Sequence, residues 1–262
     1  MSWRELCRAS LALFLLACFI ATGATAQSAD TRKSGFGSMG AALQAMQRDD
    51  GQNPAMLWAA DGAALWQRGA GSSGKSCADC HGALPERMRG VASRYPAFDA
   101  ALGRPLNLGQ RINQCVQERQ GAPALAAESS SLLSLETAVA LQSRGLPLQS
   151  AADARLAPFL EQGRQLYAQR IGQLNLSCAQ CHDERAGSRL GGSTIVQGHP
   201  TGYPVYRLEW QSLGSLQRRL RNCMSGVRAE PYAFGAPELV ALELFLARRA
   251  AGMPIETPGV RP

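Results

Sequence analysis

CADCH at residues 77–81 and CAQCH at residues 178–182 decide the fold of this 262-residue chain. Both have the CxxCH spacing that is typical of covalent attachment of a c-type haem. In such a motif the two cysteines form thioethers with the haem, and the adjacent histidine ligates the iron from one side. The sequence therefore predicts two covalently bound haems, around which the rest of the chain is organised.

The two motifs belong to an internal duplication. Up to and including the motifs, matching residues of the two copies are separated by a constant number of residues. The second copy then has a short insertion, and after it the matching residues are separated by a larger constant number. The matched pairs are Gly62 with Gly163, Leu65 with Leu166, Trp66 with Tyr167, Tyr95–Phe98 with Tyr203–Tyr206, Arg111 with Arg219, and Cys115 with Cys223. We therefore expect two homologous haem domains, residues 57–150 and 151–262, preceded by an N-terminal extension over residues 27–56.

Each copy has the same predicted series of elements. A helix, Asp61–Gly69 or Phe159–Gln169, leads into the haem motif, and a loop rich in Gly, Pro and Arg comes after it. A helix with one further cysteine comes next, and then a terminal helix, which is Pro237–Ala250 in the second copy. The extension is expected to wrap the first domain, with a helix around Met39–Arg48. Because no stretch alternates at period two, the predicted fold class is mainly α, with two tandem cytochrome c-type haem domains.

Residues 1–26 have the features of a secretory signal peptide. The start is basic, an apolar stretch covers Leu11–Ile20, and the small residues Ala24-Thr25-Ala26 provide a cleavage site. We therefore expect export to the periplasm with cleavage near Ala26. Lipoprotein processing at Cys18 and an uncleaved anchor stay open as alternatives. Since the chain has no other long apolar run, stable membrane insertion is not expected.

The composition is basic, with 27 Lys and Arg against 20 Asp and Glu and a formal net charge of +7. A positive balance favours anionic partners. Nucleic acid is not an expected partner of an exported haem protein. Small oxyanions or an acidic protein partner fit the composition better.

Cys115 and Cys223 remain unassigned once the signal peptide and the haem motifs are set aside. On a helix over Leu213–Val227, Cys223 falls on an apolar stripe that begins at Leu213, and the first copy repeats the stripe around Cys115. A haem would pack on this face, so both cysteines are predicted to ligate iron on the side opposite the histidine. A disulfide between them and two buried, unreactive thiols stay open as alternatives.

Few other residues are able to ligate iron. Met88 lies close behind the first motif, and Met224 lies about a quarter turn off the stripe of Cys223. His199 is the histidine outside the motifs, and it has no counterpart in the first copy. A loop histidine is the favoured interpretation of His199, with ligation of the second haem as the alternative.

Arginines cluster around Cys223, and one of them has a predicted function. Arg219 lies four residues before Cys223, one helical turn away on the same face. Its guanidinium is suited to bidentate binding of a small oxyanion beside the sulfur. Pairing with a haem propionate is the alternative, because Arg111 has the same position relative to Cys115. The other members of the cluster are Arg207, Arg218, Arg221 and Arg228. For the last three, a solvated basic face is the favoured interpretation.

The segments after the two lone cysteines differ as well. The residues after Cys223 are smaller and more basic than those after Cys115. A thiolate is the nucleophilic form of cysteine. An anionic sulfur substrate is therefore expected at the second site.

These residues resemble the SoxA family, the dihaem cytochrome c subunits of the thiosulfate-oxidising Sox system. The resemblance covers nearly the whole mature chain and rests above all on the paired haem motifs together with Arg219-Leu220-Arg221-Asn222-Cys223. It also includes the extension from Ser34-Gly35-Phe36 to Asn53-Pro54. This combination is far more specific than CxxCH alone.

The resemblance implies a role for each site residue. The residues that bind haem covalently would be Cys77, Cys80, Cys178 and Cys181. The iron ligands would be His81 and Cys115 for the first haem, and His182 and Cys223 for the second. Cys223 would also be the catalytic residue, found as a persulfide in the family, and Arg219 would bind the substrate.

The resemblance also implies an enzymatic reaction, that of an L-cysteine S-thiosulfotransferase. The reaction joins thiosulfate oxidatively to a cysteine of the carrier SoxYZ, and two electrons pass to haem and through the partner cytochrome SoxX. Because both attachment cysteines and His81 are present in the first domain, two haems are expected, the first as a relay or a relic. A thiosulfate dehydrogenase that forms tetrathionate and a plain dihaem electron carrier stay open as alternatives.

Overall fold

A computed structural model of the chain describes residues 30–149 and 152–262. The predicted signal peptide and the predicted domain junction at residues 150 and 151 lie outside the described residues. Within the described part, no helix is long and apolar enough to cross a membrane. Residues 32–262 form one compact unit, which contains all the helices and strands named here.

Helices make up most of the regular structure. The extension and first domain contain α1 (Ala41–Arg48), α2 (Ala55–Gln67), α3 (Cys77–His81), α4 (Leu84–Arg87), β1 (Ala97–Asp99), β2 (Arg104–Leu106), α5 (Leu108–Gln120) and α6 (Ser130–Leu141). The second domain contains α7 (Ala157–Ala168), α8 (Cys178–His182), β3 (Arg189–Leu190), β4 (Ser193–Thr194), β5 (Val205–Arg207), β6 (Ser212–Gly214), α9 (Leu216–Gly226), α10 (Pro237–Arg249) and β7 (Gly259–Arg261). The predicted helices of the extension and of the terminal segment are thus confirmed, with ends shifted by one or two residues.

One close helix pair forms the frame of each domain. Helix α2 packs against α6 in the first domain, and α7 packs against α10 in the second. A Cβ atom on Gly62 of α2 would lie 2.0 Å from the Ser134 carbonyl oxygen, and one on Gly163 of α7 would lie 2.1 Å from the Ala241 carbonyl oxygen. The duplicated glycine is therefore present because only a residue without Cβ permits this approach of the two backbones.

Short hairpins were not predicted from the sequence. Strands β1 and β2 pair antiparallel, as do β5 and β6, and β7 adds to β5 in parallel. Leu213 lies in β6, fully buried, and not on the helix of Cys223. That helix begins at Leu216, after the Ser215 hydroxyl accepts a hydrogen bond from the Arg218 N–H at 3.1 Å. The predicted start of this helix at Leu213 is therefore wrong.

The extension packs mainly against the second domain. Arg32 donates hydrogen bonds to the carbonyl oxygens of Arg249 and Ala251 at 2.9 and 2.8 Å. Asn53 donates to the Pro258 carbonyl at 2.9 Å, deep in the structure. The prediction that the extension wraps the first domain is therefore wrong, although an exposed ion pair joins Asp50 of the extension to Arg144.

Glu136 and Glu243 line a cavity of about 300 Å³ where the two domains meet, and Glu243 is buried while Glu136 is half-buried. Burial raises the pKa of Glu136 to about 8, and the charges of Glu243 and Glu128 act in the same direction. Burial raises the pKa of Glu243 to about 7, although Asn107 and Gln217 donate hydrogen bonds to it at 2.9 and 3.1 Å. Glu136 therefore favours the neutral form near neutral pH, while Glu243 is near the midpoint of its titration.

Candidate active site

A capping box holds each CxxCH segment as a helix of five residues. The Ser76 hydroxyl accepts a hydrogen bond from the Asp79 N–H, and the Asp79 carboxylate accepts one from the Ser76 N–H. Ser177 and Gln180 form the same reciprocal pair before the second motif. A capping box satisfies two backbone donors that a short helix otherwise leaves open, so it fixes the spacing of the cysteines and the histidine.

Each lone cysteine lies beside the haem motif of its own domain. Burial raises the pKa of Cys77, and the proximity of Cys115 raises it further. Burial likewise raises the pKa of Cys178 to about 11, with Cys223 as the next contribution. All six cysteines in the described part of the chain are free thiols. The disulfide considered from the sequence is therefore not formed, and each motif has its own lone cysteine.

The surroundings of His182 fit a c-type haem ligand. Its Nδ1 atom lies 2.6 Å from the Val196 carbonyl oxygen, which leaves Nε2 as the ring nitrogen for a metal. Gly198, with φ of +74°, lets the same loop close on the ring, because a Cβ there would lie 3.3 Å from the imidazole. The side chain faces Cys223 across the site. Burial alone would lower the pKa of His182, but hydrogen bonding to Cys223 and to Val196 raises it.

The first site is more open than the second. Cys80 and His81 are exposed, whereas Cys181 and His182 are half-buried. The His81 ring packs against Trp66 with the ring centres 5.6 Å apart, and the Trp66 indole donates to the Gly82 carbonyl at 2.9 Å. The donor set of free thiols, an imidazole and a further cysteine also fits a haem here.

The thiols of Cys115 and Cys223 differ in pKa. Burial raises the pKa of Cys115, and the arginine one turn earlier does not offset this. Burial acts in the same direction on Cys223, but hydrogen bonding to His182 and the positive charges of Arg219 and Arg207 outweigh it. The pKa of Cys223 is therefore below its ordinary value. The second site therefore stabilises the thiolate form of its cysteine more than the first site does.

The remaining arginines of the cluster have structural contacts. Arg218 stacks on the Trp210 ring at 4.1 Å and donates to Ser212 and to the Leu213 carbonyl. Arg221 donates to the Tyr232 carbonyl and lies over the Phe234 ring. Arg228 is exposed. Among these three, Arg228 therefore fits the solvated basic face expected from the sequence, whereas Arg218 and Arg221 are part-buried and have structural contacts.

The other candidate iron ligands are two core methionines and a loop histidine. Met88 is buried in a hydrophobic cluster of the first domain with Trp66, Leu84, Ala138 and Val139. Met224 is buried in the corresponding cluster of the second domain. His199 is part-buried in the loop that carries Val196. The two methionines therefore belong to the cores.

Two residues near Cys223 were missed or left without a role. Tyr203 is half-buried near Arg219, Arg207 and Cys223, and desolvation raises its pKa. Its position in the duplicated Tyr-Pro segment was a signal, because Tyr95 lies in the same way beside Arg111. Arg207 was recognised only as a member of the basic cluster.

Comparison with known proteins gives consistent matches over most of the chain. Residues 61–148 and 162–255 match the family model described as SoxA/TsdA, cytochrome c domain. The L-cysteine S-thiosulfotransferase subunit SoxA of Rhodovulum sulfidophilum is 38% identical over 218 residues, which cover 83% of this chain and 76% of that protein. The protein of the same name from Paracoccus pantotrophus is 34% identical over 236 residues, which cover 90% and 81%.

A solved structure matches equally well. The crystal structure of SoxXA from P. pantotrophus aligns with a TM-score of 0.85 at 34% identity, over 88% of this chain and 87% of the matched chain. The predicted fold class, two tandem cytochrome c domains in a mainly α chain, is confirmed.

Proposed function

This chain belongs to the SoxA/TsdA cytochrome c family, and we propose that it conjugates thiosulfate oxidatively to a cysteine of a carrier protein. The observation that carries the proposal is the environment of Cys223. Its thiol faces His182, lies one helical turn from Arg219, and has a pKa below the ordinary value. The name L-cysteine S-thiosulfotransferase subunit SoxA, borne by several relatives, describes this chemistry.

We propose two covalently bound c-type haems, since the cytochrome c domain occurs twice. The covalent attachment residues are Cys77, Cys80, Cys178 and Cys181. His81 and Cys115 would hold the iron of the first haem, and His182 and Cys223 would hold that of the second. When bound, the haem supplies the acceptor for the electrons that the reaction releases.

Arg219, Cys223 and His182 have different roles in the reaction. Arg219 binds the sulfonate oxygens and orients thiosulfate. Cys223, present as a persulfide, bonds to the outer sulfur with the sulfonate still attached, until the carrier thiolate takes that sulfur and the persulfide leaves. In the net reaction the outer sulfur of thiosulfate forms a disulfide bond with the carrier cysteine. One thiol proton and two electrons leave, so that the product carries a cysteine S-thiosulfonate. The contact of Nδ1 with the Val196 carbonyl oxygen holds the His182 ring in place.

Partners and location are inferred from the same family. The matched structure is titled SoxXA, which supports a heterodimer of this chain with a SoxX cytochrome. We propose SoxYZ as the carrier protein, thiosulfate as the substrate and the periplasm as the location. The domain boundaries near residues 57, 150 and 262 remain a prediction.

Replacing the active cysteine tests the function. Cys223→Ala is expected to abolish thiosulfate-dependent mass addition to the carrier, while haem-stained gels still show covalent haem. Ser225→Ala, an exposed neighbour on the same helix, is the matched control and is expected to retain activity. Conjugation at the wild-type rate by Cys223→Ala would refute the proposal.

Product analysis distinguishes the alternatives that the sequence left open. A thiosulfate dehydrogenase forms tetrathionate without a carrier, and a plain electron carrier forms neither product. We expect conjugate only when the carrier is present. Tetrathionate formed at the same rate with and without the carrier would assign the chain to the dehydrogenase activity.

A further inference from the structure

Arg111 of the first domain is neutralised by a carboxylate. Its Nη2 atom lies 2.7 Å from Oδ2 of Asp99, whose side chain is only 6% exposed. The second carboxylate oxygen of Asp99 accepts a hydrogen bond from the Leu102 N–H at 2.8 Å. This guanidinium already has a fixed anionic partner and is not free to bind another anion.

The second domain has the opposite charge at the position of Asp99. Asp99 is the last residue of β1 and pairs with Arg104, while Arg207 is the last residue of β5 and pairs with Ser212. Asp99 and Arg207 are 108 residues apart, as are Arg104 and Ser212. The same offset relates Arg111 to Arg219. The duplication therefore replaces the carboxylate partner with a second guanidinium.

Arg207 is held close to Arg219 without a shared carboxylate. Its side chain is 11% exposed and lies over the Trp210 ring at 5.2 Å. Burial lowers the pKa of Arg207, and the charge of Arg219 lowers it further. The carboxylate beside it, Glu209, is half exposed and lies 2.8 Å from Nε without the alignment of a hydrogen bond.

No carboxylate pairs with Arg219 in the part of the chain that the structure describes. Two guanidinium groups near one another in a partly buried site repel each other unless an anion lies between them. The side chains of Arg207 and Arg219 both lie near the Cys223 sulfur. The arrangement is that of a binding site for an anion next to that sulfur.

We infer that Arg207 and Arg219 together bind the sulfonate group of the substrate, and that the exchange of Asp99 for Arg207 restricts oxyanion binding to the second domain. The inference rests on the proposed function and adds a second substrate-binding residue to it. A sulfonate offers three oxygens and so accepts hydrogen bonds from two guanidinium groups at once. Its outer sulfur is then left for reaction at Cys223.

Three substitutions of Arg207 in the haem-loaded protein with its partner cytochrome test the inference. Sulfate, which lacks a reactive outer sulfur, serves as the binding probe in calorimetry, and KM and kcat for thiosulfate are measured in parallel. Arg207→Gln is expected to raise the sulfate Kd and the KM about 10- to 100-fold, with a smaller change in kcat. Arg207→Asp should weaken binding more, because its carboxylate can pair with Arg219 as Asp99 does with Arg111. Arg207→Lys should retain part of the affinity.

The matched controls are Arg68→Gln and Arg68→Asp, which change the net charge equally at an exposed position of the first domain. They are expected to leave the sulfate Kd and the KM within about twofold of wild type. Haem absorption spectra of all variants should be unchanged. Sulfate affinity and KM unaltered in Arg207→Asp, or no saturable sulfate binding by wild type, would overturn the inference.

The two readouts separate this inference from the proposed function. If thiosulfate is conjugated and Arg207→Asp leaves the KM unchanged, the inference fails and the function stands. If sulfate binding depends on Arg207 but no conjugate forms with the wild-type protein, the oxyanion site stands and the proposed function fails.

Discussion

Cys223 and Cys115 descend from one ancestral position, but their neighbours give them different chemistry. Cys223 has two arginines and a facing imidazole, which together lower its pKa despite burial. In the first domain the matching arginine forms an ion pair with Asp99. A few side chains around a duplicated cysteine position therefore distinguish the proposed reactive sulfur from the proposed iron ligand of the first domain.

Loss of the Arg219 guanidinium should weaken substrate binding. Arg219→Gln is expected to raise the KM for thiosulfate about 10- to 100-fold, because a charge-assisted hydrogen bond to the sulfonate is lost. Steady-state kinetics of carrier conjugation measures this. Arg228→Gln removes an exposed positive charge from the same region and should behave like wild type. An unchanged KM in Arg219→Gln would assign this arginine a structural role.

Gly198 should be required for the loop over His182. Gly198→Ala places a Cβ 3.3 Å from the ring at a φ of +74°, and is expected to cost at least about 1 kcal/mol of stability. Thermal unfolding and the haem absorption spectrum of the loaded protein would report the change. Gly192→Ala, in the same segment but with no atom within 4 Å, is the control. Equal effects of the two substitutions would contradict the packing argument.

Helix pairs and hairpins differ in how well the sequence predicts them. The helix of Cys223 was predicted because four- and three-residue spacings persist over its length. The three-residue strands before it were not, since β5 and β6 are too short for a period-two pattern and β5 is also paired with β7, which is distant in sequence. The loop over His182 and the packing of the extension on β7 were not predicted either, because both depend on non-local contacts.

The helix pair of the second domain gives a direct stability test. Gly163→Ala is expected to lower the free energy of unfolding by about 1–3 kcal/mol, because its Cβ would lie 2.1 Å from the Ala241 carbonyl oxygen. Chemical denaturation followed by circular dichroism measures the change. Gly37→Ala, where no atom lies within 4 Å, is the control. A Gly163→Ala protein as stable as wild type would show that α7 and α10 do not need this close approach.

The whole molecule is a duplication whose two copies meet at a pair of equivalent glutamates, Glu136 and Glu243. Both carboxyls have raised pKa values in the folded chain, of about 8 and about 7. A raised folded-state pKa stabilises the fold at low pH, where the group is protonated in both states. This stability is lost as pH rises through the folded-state pKa. The unfolding free energy should therefore fall between about pH 4.5 and pH 8.

Removing these carboxyls should flatten that dependence. Glu136→Gln keeps the shape of the side chain without the charge, and is expected to be about 1–3 kcal/mol more stable than wild type at pH 8. Unfolding curves at several pH values measure the effect. Glu184→Gln, exposed and away from this interface, should leave the pH profile unchanged. An identical profile for Glu136→Gln would show that the carboxyl is ionised in the folded protein.

The pattern of two haem motifs and two lone cysteines was predicted from the sequence, because ligand spacing is local and is repeated. The difference between the two sites was predicted only in outline, because the charges that matter come from β1 and β5, in strands that have no sequence signature. Comparing the sign of charge at duplicated positions would have shown the exchange of Asp99 for Arg207.

Peptide mapping by mass spectrometry, after incubation of the complete protein with thiosulfate, tests the assignment of Cys223 most directly. We predict haem on the peptides of both CxxCH motifs, added sulfur on Cys223, and an unmodified Cys115. A disulfide between Cys115 and Cys223, or added sulfur on Cys115 alone, would contradict this assignment.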